Sequence, residues 1–258
     1  MRSRIRIAQI RVVPERGDLA ANHARLLAVL DEIAAQAVDV VVTPECFLDG
    51  YVVVEASVTP EQLRRYAIDP AESETVREVS RWAAAASAWV VLGCSRTAPE
   101  GVTNSALIFD RGGTLKGTYD KLHLQMHDRK YLPGRALRVF DSDFGLFGVM
   151  ICADRRWPET VRSLALQGAR VIFNPTYGMH DRRNLWMMRT RSYESEVFIA
   201  FTHPAQSLLT GPTGKVVCNE TGRSDHYSVS EIDLSEVDRA RESDYSHLRD
   251  RRPDVYTG

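Results

Sequence analysis

Phe147-Gly148-Val149-Met150-Ile151-Cys152-Ala153-Asp154-Arg155-Arg156-Trp157-Pro158-Glu159 is the stretch on which the fold turns. Its first five residues are apolar and strand-like, and its end carries Pro and Glu, which suit the first turn of a helix. Cys152 lies where the strand gives way. A thiol there is fixed by a sheet but open at one end. A helix starting at Pro158 would aim its positive end at this corner and favour a thiolate. Nucleophiles in α/β hydrolytic sites are mounted in this way. The competing reading is a small buried hydrophobe, the commoner fate of a free cysteine.

Outward from Cys152 the chain alternates strands and helices. Ile5 to Val12 reads as a strand. Asp18 can cap a helix to about Ala37, in which Leu19, His23, Leu26, Leu27, Leu30 and Ile33 keep helical spacing. Val38 to Val42 is a buried strand, giving the βαβ rhythm of an α/β sheet. Further helices are expected over 73–86, 158–167 and 183–194, and strands over 89–94, 171–173 and 198–202. Segments 103–109 and 114–119 flank Asp110-Arg111-Gly112-Gly113, a hairpin turn, so the sheets must be mixed. Thr210 to Gly214 is a turn between two more strands. From about Ser235 the chain is charged and reads as irregular.

The bulk properties narrow the possibilities. The chain has 258 residues, 26% of them charged, and a net charge of −1. That balance invites neither nucleic acid nor an anionic membrane. No apolar run is long enough to span a bilayer, and Met1 to Ile7 alternates charge with isoleucine, unlike a signal peptide. Cys46, Cys94, Cys152 and Cys218 are scattered, with no disulfide framework and no zinc spacing, which suits a reducing cytoplasm. No break in composition marks a linker. A single domain over 1–258 with a C-terminal arm from about 235 is expected.

Three strand ends carry reactive groups: Glu45 after Val38–Val42, Lys121 after the strand ending at Tyr119-Asp120, and Cys152. Sites in α/β folds gather at such ends. Singly, each has an ordinary reading: an acid in a turn, a solvated lysine, a core thiol. Together, the segments Thr43-Pro44-Glu45, Tyr119-Asp120-Lys121-Leu122-His123 and Gly148-Val149-Met150-Ile151-Cys152 resemble the carbon–nitrogen hydrolase (nitrilase) superfamily in order and interval. Arg4 to Gln9, Arg189 to Glu194, Ser207 to Gly214 and Glu231 to Leu234 extend the resemblance over nearly the whole chain. It implies a four-layer αββα sandwich with two mixed β-sheets, and hydrolysis of a non-peptide C–N bond without metal or organic cofactor. Glu45 would act as general base, Cys152 as nucleophile through a thioester, and Lys121 as the positive charge facing the oxyanion. The resemblance also implies a homodimer or higher homo-oligomer, to which the tail arginines Arg249, Arg251 and Arg252 could contribute.

Many members of the family carry a second glutamate shortly before a Pro-Gly. Here Pro133-Gly134 is present, but Gln125 to Leu132 contains no glutamate, and Asp128 is the nearest acid. Either Asp128 does that work from a shorter loop, or the position is lost and a non-catalytic binding protein remains. A Cys152–histidine pair, or a metal held by His123, His127 and Asp128, has no supporting motif. His123 reads as a supporting hydrogen-bonding residue. Arg155 and Arg156, beside a helix N-terminus, are electrically costly unless a ligand carboxylate or an internal acid answers them. Cys152 to Glu159 is similar to the N-carbamoyl-D-amino acid amidohydrolases, in which two arginines hold the substrate carboxylate, although Ala153 replaces a polar residue. An ω-amidase-like or nitrile hydrolase is the alternative. Asn174, Tyr177, Met179, His180 and Trp186 follow the next strand end and are candidates for the substrate pocket.

Overall fold

A computed structural model describes residues 2–222 and 226–256. The elements are β1 (Arg4–Ile10), α1 (Leu19–Ala34), β2 (Val40–Val42), α2 (Pro60–Leu63), α3 (Glu74–Ala86), β3 (Trp89–Ala98), β4 (Gly101–Phe109), β5 (Leu115–Asp120), β6 (Val139–Phe140), β7 (Phe147–Val149), α4 (Pro158–Leu166), β8 (Val171–Pro175), α5 (Arg183–Ser195), β9 (Phe198–His203), β10 (Gln206–Thr210), β11 (Val216–Thr221), β12 (Tyr227–Asp233) and α6 (Ser235–Glu242). The local signals act as their chemistry dictates. The Asp18 carboxylate accepts from Ala21 N at 2.9 Å and starts α1, and Ser73 caps α3. The β4–β5 turn closes through Gly113 N to Asp110 O, with Gly113 at φ 78°.

Two six-stranded mixed sheets form, in the orders β12-β1-β2-β3-β4-β5 and β11-β10-β9-β8-β7-β6. Parallel pairs occupy the middle of each (β1–β2–β3 and β7–β8–β9) and antiparallel pairs the outside. The sheets face each other across a layer built from both: Ile5, Val40, Val42 and Val91 on one side, Phe147, Val149, Phe173 and Ala200 on the other. On the outer face of the first sheet, Leu26, Leu30, Val76 and Val79 of α1 and α3 cover Ala8, Val41 and Leu92. On that of the second, Val161, Leu164 and Met188 of α4 and α5 cover Met150, Ile172 and Phe201. The architecture is the expected αββα sandwich.

Several local expectations change. The strand expected at 89–94 continues to Ala98, and its hairpin partner starts at Gly101. The stretch from Ser235, expected to be irregular, opens with α6, whose Val237 is fully buried in the inter-sheet layer. One apolar residue in a run of charges is too little periodicity to announce a helix. The segment beyond α6 folds back on its own chain, where Ser246 Oγ and His247 N donate to the buried Glu196 carboxylate (3.0 and 2.5 Å). Arg249 bonds Asp250 and backbone carbonyls within the tail, Arg251 bonds Leu248 O, and Arg252 pairs with Asp254.

Candidate active site

Glu45 sits in the turn after β2, with Lys121 just past β5 in the same sheet. Cys152 and Tyr177 follow β7 and β8 of the other sheet. The fold therefore joins the two halves of the site across the sandwich. Lys121 Nζ donates to Glu45 Oε1 at 2.7 Å and to Asp128 Oδ2 at 2.6 Å. All three side chains are buried. Burial pushes the Lys121 ammonium down, but the charges of Glu45, Cys152 and Asp128 outweigh it and hold the group well above its ordinary range. Lys121 is thus a fixed positive charge. Asp128, the acid expected from a shorter loop, reaches this lysine from a one-turn 3-10 helix (Met126–Lys130), and Tyr51 Oη donates to its other oxygen at 2.9 Å.

Glu45 is held from several directions. Asn104 Nδ2 also donates to Oε1 (2.8 Å), and the Tyr177 amide donates to Oε2 (2.9 Å). Tyr177 is held in turn: its ring stacks on Tyr51, and its carbonyl accepts from His203 Nε2 at 2.6 Å. Ala205 N donates to His203 Nδ1, which fixes the neutral Nε2–H tautomer. Burial, then the neighbouring His180, lowers the His203 pKa to about 4.

Cys152 has φ 45°, a strained elbow for a residue with a Cβ, and is 6% exposed. Gly178 closes in on the thiol, and a Cβ at that position would stand 4.0 Å from Sγ. Burial and the Glu45 charge raise the thiol pKa, while Lys121 and Arg155 oppose them. The expected help from a helix end is absent because a 3-10 turn, Cys152–Arg156, separates the thiol from α4. A protonated thiol near an acceptor carboxylate and a fixed cation is an arrangement for general-base activation rather than a resting ion pair.

The two arginines part company. Arg155 is 1% exposed and places Nη1 3.5 Å from Cys152 Sγ. Its Nε and Nη2 both donate to Asn184 Oδ1 (3.3 and 2.9 Å), Nη2 reaches Gly178 O at 3.5 Å, and its guanidinium lies over Phe201. Arg156 is exposed, bonding Gln125 and the Met179 sulfur. Neither takes the internal acid: Asp154 accepts instead from Tyr119 Oη, Ile151 N and both the amide and Nδ1 of His123. His123 thus supports the elbow, stacked on Trp157. Asn174 is buried and donates to Met150 O, behind the elbow. His180 stacks on His203, and Trp186 is 62% exposed on α5. No cluster of His, Cys, Asp or Glu suited to a metal exists among the described residues.

Asn104, Tyr51, Asn184 and His203 were not singled out from the sequence. Asn104 had a readable signal, the polar triplet Thr103-Asn104-Ser105 inside an otherwise apolar strand, all of it buried.

A family profile described as carbon–nitrogen hydrolase matches residues 4–242. The chain is 28% identical to a nitrilase of Pyrococcus abyssi, over 98% of this chain and 99% of that protein. It is 26% identical to an N-carbamoylputrescine amidase of Arabidopsis thaliana, over 93% and 90% of the two chains. Its fold is similar to that of a carbon–nitrogen hydrolase from Helicobacter pylori, with a TM-score of 0.85, 20% identity, and coverage of 98% and 97%.

Proposed function

The chain belongs to the carbon–nitrogen hydrolase family, and from that premise we propose that it cleaves a small, carboxylate-bearing N-carbamoyl compound or amide through a Cys152 thioester. Glu45 takes the thiol proton as sulfur attacks the carbonyl carbon. Lys121, fixed between Glu45 and Asp128, faces the oxyanion. Collapse expels the amine or ammonia, which takes the proton back from Glu45. The carboxylate then draws a proton from water, whose oxygen attacks the thioester and frees the acid and the thiol. From an N-carbamoyl substrate the acid so released is a carbamic acid, which loses carbon dioxide to leave the amine.

The observation that carries the substrate class is Arg155, a buried guanidinium 3.5 Å from the nucleophile. A cationic substrate such as N-carbamoylputrescine would meet repulsion there, whereas a carboxylate would meet the positive charge and the Nη1 donor that faces the thiol. Arg156 stands nearer the surface, where it can meet the same group on entry, and Tyr177 and Asn174 shape the wall. The proposal extends to a homo-oligomer, formed through faces such as the one bearing the exposed Trp186 and Tyr193, and to a cytoplasmic setting suited to four free thiols.

The test is ammonia release from N-carbamoyl-D- and L-amino acids, ω-amides of dicarboxylic acids, neutral amides and nitriles, with native protein and Cys152→Ala. Release from anionic substrates that disappears in Cys152→Ala is expected. Faster turnover of the neutral amides or nitriles, or of N-carbamoylputrescine added as the cationic member of the panel, would overturn the substrate assignment. No release from any class would leave the binding-protein alternative.

A further inference from the structure

Arg155 is buried beside the thiol, yet among the described residues no carboxylate pairs with it. The nearby acids are engaged elsewhere: Asp154 with Tyr119, His123 and Ile151, and Asp181 with Arg183. A buried, unneutralised guanidinium is costly, and proteins usually answer it with an acid. Here the answer is an amide. Asn184, itself fully buried in the first turn of α5, accepts two N–H groups of Arg155 on one oxygen. Its Nδ2 donates to Met179 O at 2.5 Å, so the amide cannot flip without losing bonds on both sides. The side chain thus fixes the plane of the guanidinium while leaving its charge whole.

We propose that Asn184 is the specificity-determining residue of this site: a neutral brace that orients Arg155 toward the thiol and keeps its positive charge available for a substrate carboxylate. An aspartate at the same place would brace Arg155 as well or better but would neutralise it, and the site would lose its reason to prefer anions. Asn184 acts through Arg155 and is a positioning residue, since its own polar atoms are committed to Arg155 and Met179. The inference rests on the reading of Arg155 as the carboxylate-binding group.

The test uses two alkylating agents of similar shape that differ in charge, iodoacetate and iodoacetamide, and reads their second-order rates at Cys152 by mass spectrometry of the labelled peptide. Their ratio, relative to the ratio for a free small-molecule thiol, reports the charge near sulfur without needing the natural substrate. Four proteins are compared: native, Arg155→Gln, Asn184→Asp and Asn184→Ser. Both Asn184 variants lose the bond to Met179, so the difference between them isolates charge from packing, and thermal melting checks that each is folded. The expected result is a raised iodoacetate preference in the native protein, lowered in Asn184→Ser, which loses the brace but adds no charge, and cut further, roughly tenfold from native, in Asn184→Asp and Arg155→Gln, the scale on which a local charge alters encounter with an anion. If Arg155→Gln abolishes the preference but Asn184→Asp retains it, the role of Asn184 is wrong while the reading of Arg155 stands. If the native protein shows no preference, both fall.

Discussion

Lys121 stands between two buried carboxylates, an arrangement with one more negative charge than positive. Glu45 has three donors on its oxygens, whereas Asp128 has Lys121 and Tyr51. The aspartate therefore mainly sets the lysine's position and charge. Asp128→Asn keeps the shape and removes the charge, so it is expected to lower kcat by roughly 10²-fold with little change in melting temperature. Full activity in that variant would remove Asp128 from the site. Removing Lys121 is different in kind: Lys121→Met leaves Glu45 and Asp128 facing each other without a cation and is expected to cost about 3–5 kcal/mol of stability, read from denaturant unfolding. The thiol carries its own signature. Because burial and Glu45 raise its pKa, iodoacetamide labelling of Cys152 should climb with pH to an inflection above the ordinary thiol range. A plateau already reached near neutrality would mean a resting thiolate, contrary to this geometry.

At the scale of elements, the site is aimed by short turns at strand ends, and those turns press on their neighbours. Gly93 in β3 runs directly beneath the Pro44–Cys46 turn, and a Cβ there would lie 2.2 Å from Pro44 O and 3.1 Å from Glu45 Cα. Gly93→Ala must push Glu45 out of place, so activity should fall at least about 10²-fold, on the logic that an ångström of misplacement costs that much. Unchanged kcat would show that the turn can yield. Much of this level could be read in advance. The βαβ rhythm, the Asp18 cap, the Asp110–Gly113 turn and the three reactive strand ends each have a local signature. What could not be read were interactions made between elements far apart in sequence. Asn104 meets Glu45 across 59 residues, and Tyr177 meets it across 132. The contrast between Arg155 and Arg156 was hidden for a related reason. Neighbours in sequence emerge from a 3-10 turn in opposite senses, one inward to the thiol and one outward to Gln125.

For the molecule as a whole, pH acts in opposite senses through two buried groups, His203 at the end of β9 and Asp49, whose carboxyl burial pushes up to about 6. The His203 pKa is about 4 in the folded state and 6.5 when unperturbed. Between those values the unfolded chain binds a proton that the native chain does not. The share that His203 contributes is therefore complete above about pH 6.5 and is lost as pH drops toward 4, by on the order of 3 kcal/mol at the bottom of the window, while Asp49 works in the opposite sense between about pH 6 and 4. His203→Gln should lose less stability than the native protein between pH 7 and pH 4, read from urea midpoints; an unchanged difference between the two pH values would take His203 out of the pH response. The same histidine holds the Tyr177 carbonyl, so this acid-sensitive point lies beside Glu45, which accepts from the Tyr177 amide. The wider consequence comes from where the reactive groups ride. Glu45 and Lys121 belong to one sheet, Cys152 and Tyr177 to the other, and the apolar layer of Val42, Val91, Phe147 and Phe173, with a few buried hydrogen bonds such as Gln9 Nε2 to Phe201 O and Tyr119 Oη to Asp154, keeps the halves in register. Turnover is thus a caliper for the gap between the sheets. Heat or a core substitution that lets the halves drift by a fraction of an ångström would silence the enzyme while both hydrogen-bonded ladders stayed intact, and its rate would report the loosening before any spectrum of secondary structure did.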